Sequence, residues 1–203
     1  MGYYDVFALF YDTSVAHHYV SQRLAAQEAL DLSPGLTVLD CPAGTGLSFP
    51  HIKAGIGDGL LLGADVSSGM LAKARKKSDQ AGWGDTVRLV HADAAELSSS
   101  DLGVPGVDRL HIFLGMSAFS DMQGSFTNLW GLLNPGGRCV IVDVYAETLG
   151  FQGRMVNLSA RADITRRSWE PLEAVAEGFR RDELESTPAH GGAMFLATGT
   201  KPA

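Results

Sequence analysis

The chain has 203 residues, 45% of them hydrophobic and 19% charged, with a formal charge of −7. That supports one domain with a real core, and the acidity, with no long basic run, argues against a nucleic-acid partner. No stretch reaches the length of a membrane span, MGYYDVFALFYD lacks the features of a secretory signal, Val6 breaks the myristoylation pattern, and Cys41 and Cys139 make no disulfide framework, which fits a reducing cytoplasm.

In chain order, residues 13–31 read as a helix with Val20, Leu24, Ala25 and Leu30 as buried positions. Ser33-Pro34-Gly35 breaks it. LTVLD is a first buried strand, and Gly44-Thr45-Gly46 turns the chain into a helix over about 47–55. GDGLLLGAD gives a loop and a second strand. Ser67 or Ser68 caps a helix through Lys77, with Met70, Leu71 and Ala74 on one face. VRLVHAD is a third strand, and Val107–Leu114 a fourth. Phe126, Leu129, Trp130 and Leu133 share the face of a helix near 121–133. After the Asn134-Pro135-Gly136-Gly137 turn, RCVIVDVY is a buried fifth strand. The rhythm then changes: short helices are expected at 154–163 and 168–177, the second capped by Ser168. The stretch 179–187 alternates weakly, and GGAMFLATGT closes an antiparallel hairpin at one sheet edge.

Three aspartates, Asp40, Asp65 and Asp93, each close one of the first three strands, at intervals of 25 and 28 residues. Strand, helix and strand at that interval form βαβ units. Ligands of open parallel sheets bind outside the carboxyl ends of the strands. Three carboxylates along that edge suit a ligand with several donors: a ribose diol, an amine, an amino group on a base. The glycine turn lets a ligand approach the backbone closely. A dinucleotide would want a third glycine where Phe49 stands, and the Gly-Lys-Ser/Thr of a nucleotide phosphate loop is absent.

VLDCPAGTG resembles the first motif of the class I S-adenosylmethionine-dependent methyltransferases. GADVSSGML (63–71), HADAAEL (91–97), HIFLGMSAF (111–119) and LNPGGRCVIVDV (133–144) resemble the later motifs, in register over about residues 1–145. The nearest flavour is the small-molecule group of quinone-biosynthesis and phospholipid methyltransferases. The resemblance implies an α/β, Rossmann-like, doubly wound sheet of seven strands, mostly parallel with an antiparallel C-terminal hairpin and helices on both faces. It also implies one domain over 1–203, with a leader or lid at 1–20 and a small helical insert at 146–175 over the acceptor pocket. The motif departs at Pro42, which replaces the first glycine, stiffens the turn and removes one N–H.

The resemblance also implies roles. Asp40 would face the cofactor's ammonium, or else hold the turn. Pro42, Ala43, Gly44, Thr45 and Gly46 would form the turn against the methionine moiety. Asp65, 19 residues after Gly46, would grip the ribose diol, or else cap a helix. Asp93 would take the adenine amino group with the Ala94 N–H nearby, or else cap the next turn. Val66 and Met70 would flank the adenine, Leu114 would floor the methionine moiety, and Tyr11 would close over the cofactor. No histidine lies in a metal spacing, and the arginines of the tail read as a solvated face.

Methyl transfer from a sulfonium requires alignment and exclusion of water more than a particular base. The expected acceptor is a small apolar or aromatic molecule entering between the leader and the insert, both rich in aromatic and aliphatic residues. No Asn/Asp-Pro-Pro-aromatic motif is present for amino methylation of bases or glutamine. A homodimer is compatible with the sequence. The competing readings are an S-adenosylmethionine-binding protein or non-methylating catalyst on the same fold, and an NAD-dependent dehydrogenase.

Overall fold

A computed structural model describes residues 16–203. Seven strands form one sheet in the order β3-β2-β1-β4-β5-β7-β6. They are β1 (Val38–Asp40), β2 (Leu61–Asp65), β3 (Val87–His91), β4 (Val107–Phe113), β5 (Leu133–Tyr145), β6 (Glu177–Leu184) and β7 (Ala193–Thr200). The first five are mutually parallel, and β7 lies antiparallel between β5 and β6. This is the expected seven-stranded sheet with its C-terminal hairpin.

The helices are α1 (Val20–Ala29), α2 (Phe49–Ile56), α3 (Ser68–Gln80), α4 (Ser99–Leu102), α5 (Met122–Leu132), α6 (Phe151–Ala160) and α7 (Glu170–Glu173). Strand residues alternate between two cores. Val38, Leu61, Phe113 and Val142 join Ala26, Phe49, Ile52 and Leu71 of α1–α3 on one face. Leu39, Leu62, Ile112 and Ile141 join Leu102, Phe126 and Leu172 of α4, α5 and α7 on the other. Continuous apolar strands are what a sheet covered on both faces demands.

The first helix differs from the sequence expectation. It begins at Val20, after a 3-10 turn over Ala16–Tyr19, and its inward stripe is Gln22, Arg23 and Ala26, with Leu30 just beyond. Val20 and Leu24 face outward at 52% and 50% exposure. Apolar periodicity picks the wrong side because two polar residues take the buried one. Gln22 Nε2 donates to the Glu185 carbonyl at 2.6 Å, and Arg23 donates to Ser48 Oγ at 2.8 Å, which satisfies part of its guanidinium.

The insert is shifted as well. α6 ends where Arg161 adopts φ +48°, and the next helix shrinks to Glu170–Glu173 because β6 begins at Glu177. Ser168 does not cap it: the residue is fully buried, and its hydroxyl donates to the Arg166 carbonyl. Leu133 leaves the α5 stripe and starts β5, paired with Val107. The third strand stops at His91, leaving Asp93 two residues beyond it.

Candidate cofactor and acceptor site

One cavity of about 770 Å³ opens at the carboxyl ends of β1–β4. Pro42, Ala43, Gly44, Thr45, Asp65, Val66, Met70, Asp93, Ala94 and Leu114 all border it. Asp40 and Gly46 lie behind it, and Tyr11 falls outside the described residues.

The turn after β1 is built by close packing. Gly46 has φ +75°, and a Cβ there would sit 3.0 Å from the Phe49 ring. A Cβ on Gly63 of β2 would meet the same ring at 2.7 Å. Phe49 thus fills the space between turn and sheet, and both glycines are bare because the ring needs their room. Pro42 follows a cis peptide bond and packs on Gly115, where a Cβ would fall 2.2 Å from the proline Cδ. Leu114, with φ +54°, holds the cavity floor through its N–H to the Val142 carbonyl at 2.7 Å.

Asp65 organises the rim. Its Oδ2 accepts from the Gly44 N–H at 2.8 Å and its Oδ1 from the Ser67 N–H at 2.8 Å. Ser67 in turn caps α3 by accepting from the Met70 N–H. The carboxylate therefore ties turn to helix while bordering the cavity. Burial raises its pKa, and the two backbone donors pull it back. Asp93 is exposed at the opposite wall, and its Oδ1 accepts from the Ala95 N–H. Asp40 turns away: its Oδ1 lies 2.8 Å from His111 Nδ1 in a pair that is almost wholly buried. Cys41 registers the surrounding charge, its thiol pushed well above its usual range by burial and then by Asp65, Asp40 and Asp93.

Arg23 is the residue that the sequence did not announce. It is 9% exposed and borders the cavity from α1. Its guanidinium lies 4.2 Å above the Phe113 ring and donates to Ser48 at the start of α2. Its Nε is buried without a hydrogen-bond partner, and no carboxylate pairs with it among the described residues. A buried cation with an unsatisfied donor is costly unless a ligand completes it. The signal in sequence was spacing: positions 23, 26 and 30 share one helix face.

Beyond Leu114 the cavity continues along α6, past Ser117, Phe119, Val156, Ala160 and Arg166. Asp143, at the end of β5, fixes that loop. It accepts from the Ser117 N–H at 2.8 Å and hydroxyl at 2.7 Å, and burial raises its pKa to about 6.

The methyltransferase domain family matches residues 38–137. The chain is 30% identical to demethylmenaquinone methyltransferase of Corynebacterium kroppenstedtii, over 89% of this chain and 82% of that one. The chain belongs to the S-adenosylmethionine-dependent methyltransferases. It is also 33% identical to demethylmenaquinone methyltransferase of Thermus thermophilus, over 60% of this chain but only 53% of that relative. By fold, this methyltransferase is similar to phosphoethanolamine N-methyltransferase 2 of Haemonchus contortus, with a TM-score of 0.77 at 15% identity, covering 98% of this chain and 58% of the other.

The cofactor of this methyltransferase is S-adenosylmethionine, and the cavity suits it. An acidic rim fits a cation, and the buried guanidinium of Arg23 fits a carboxylate. The turn is poorly suited to a pyrophosphate: the Ala43, Gly44 and Gly46 N–H groups already donate to Ala64, Asp65 and Ala43, and Asp65 sets a negative charge beside them.

Proposed function

We propose that this enzyme methylates a nucleophilic atom of a small apolar or aromatic acceptor that enters beneath α6. The observation that carries the reading is the continuity of one cavity from the acidic rim to a chamber walled by Phe119, Val156 and Ala160 with Ser117, Ser120 and Ser159, and with the paired Asp163 and Arg166 on one side. Apolar walls with a few polar groups suit an aromatic ring bearing oxygen substituents. The quinone acceptor in the name of the Corynebacterium relative agrees with that chemistry.

In this reading Asp65 holds the ribose diol, Asp93 and Ala94 the adenine edge, and Val66 and Met70 its faces. Gly44, Thr45 and Leu114 enclose the methionine moiety, and Arg23 takes its carboxylate. Asp40 acts from beneath the turn, through His111. When bound, S-adenosylmethionine supplies an electrophilic methyl group on a sulfonium. The chain's own contribution is to align the acceptor with that group and to exclude water. Residues 146–175 serve as the insert of a single domain over 1–203, and the leader expected at 1–20 lies mostly outside the described residues. The charge of −7 supports a site without nucleic acid, and the two buried free cysteines support a cytoplasmic home.

The test is turnover. Incubation with S-adenosylmethionine and a panel of quinols, phenols and amines should yield a methylated product and equimolar S-adenosylhomocysteine by mass spectrometry. Cofactor binding without any transfer across the panel would favour a non-methylating catalyst, and tighter binding of NADH than of S-adenosylmethionine would restore the dehydrogenase.

A further inference from the structure

α6 carries its apolar stripe on the wrong side for a helix of a monomeric domain. Phe151, Met155 and Leu158 recur at i, i+4 and i+7, and they are 76%, 49% and 73% exposed. The inward side is small: Gly153 is the helix's one fully buried residue, lying so close to Gly191 that a Cβ would come within 2.9 Å of its carbonyl. Singly scattered exposed hydrophobics are ordinary. Three in register on one helix face are not, and such patches mark interaction surfaces.

Two further observations bear on what covers the stripe. Arg154 is the one charged residue of α6, in a protein of net charge −7, and Arg161 follows the helix end, while Arg166 and Arg167 beyond them pair with Asp163 and Glu170. Arg154 is exposed and lies within a turn of both Phe151 and Leu158. The neighbouring side of the same helix, at Val156, Ser159 and Ala160, borders the acceptor half of the cavity. No helix among the described residues is long and apolar enough to cross a membrane, so a bilayer contact would lie in the interface plane.

We propose that the outer face of α6 docks on an anionic lipid bilayer, with Phe151, Met155 and Leu158 in the headgroup boundary and Arg154 against lipid phosphates. An exposed apolar face with a cation beside it and no acid on the helix is compatible with an interfacial helix, whose binding sums buried apolar area and attraction to anionic lipid. The position beside the chamber mouth gives the contact a purpose: an apolar acceptor passes from the lipid into the cavity without crossing water. The surface deepens the acceptor reading given above, but vesicle binding is measured without turnover, so the two fail separately.

The test is flotation of the full chain with vesicles of phosphatidylcholine alone or mixed with phosphatidylglycerol. The wild type should float with the mixed vesicles, less so as salt rises, and weakly with phosphatidylcholine alone. The double variant F151S/L158S should lose at least tenfold in partition, and R154Q should lose several-fold on anionic vesicles only. Both should keep the wild-type melting temperature and affinity for S-adenosylhomocysteine. The proposal fails if the wild type floats with neither vesicle or if the variants float as well as it does. A dimer in light scattering that F151S/L158S disrupts would assign the face to a second copy and overturn it. A loss of stability or cofactor affinity in the double variant would mean that the stripe packs on the chain itself, which also overturns it.

Discussion

Replacing Arg23 with methionine separates a binding role from a structural one. In the free protein the guanidinium gains one charge-assisted hydrogen bond to Ser48, about 1.5–3 kcal/mol. It also gains its place over Phe113, about 0.5–2 kcal/mol. Against these stand the unsatisfied Nε, which costs about 1–3 kcal/mol, and the burial of an unpaired charge, which adds to that. The terms nearly cancel, and methionine keeps most of the side chain's volume. Arg23→Met should therefore shift stability by only about 1 kcal/mol. With cofactor bound, the same change removes a carboxylate contact of roughly 3 kcal/mol, about 100-fold in affinity. Calorimetric titration with S-adenosylhomocysteine should show that loss, while titration with 5′-methylthioadenosine, which lacks the amino-acid end, should be unchanged. Equal losses for the two ligands, or none for either, would refute the assignment.

Asp65→Ala should lower cofactor affinity and also orphan the Gly44 and Ser67 N–H groups, costing about 2–4 kcal/mol in urea unfolding; an unchanged midpoint would refute the tie between turn and helix. Asp143 has a pKa raised to about 6 by burial, so its favourable contribution is complete below about pH 4 and is lost as pH rises through 6, up to about 3 kcal/mol. Asp143→Asn should flatten the unfolding free energy between those pH values, and an unaltered slope would count against it. Cys41 and Cys139 are buried with raised pKa values, so neither should react with iodoacetamide at pH 8 until the chain is denatured, as mass spectrometry of the peptides would show.

The sheet was readable because its evidence repeats. Strands buried on both faces must be continuously apolar, and a carboxylate closes or closely follows each of β1–β3, so the parallel strands and the antiparallel hairpin follow from sequence. The rim of the cavity was readable for the same reason: Asp65, Asp93 and the turn border it where the strands end. Arg23 was not, because a helix that buries polar groups reverses the apparent apolar face, and Val20 and Leu24 are the more hydrophobic pair. The direction of Asp40 was hidden too, since its partner His111 lies 71 residues away on the neighbouring strand. Phe49 looked like a defect in a glycine motif. Its ring occupies the room that Gly46 and Gly63 leave, a long-range fit that no local pattern encodes.

The adjacency of β1 and β4 divides the molecule's labour along the chain. The half of the cavity that we assign to the adenosyl end is lined from the ends of β1, β2 and β3, within residues 38–94, whereas the far chamber is walled chiefly by residues 113–166. One stretch of polypeptide can thus diverge, or be exchanged for that of a related enzyme, while the other stays fixed. Chimeras joined at the start of β4 would trade acceptor preference and leave the nucleoside grip intact.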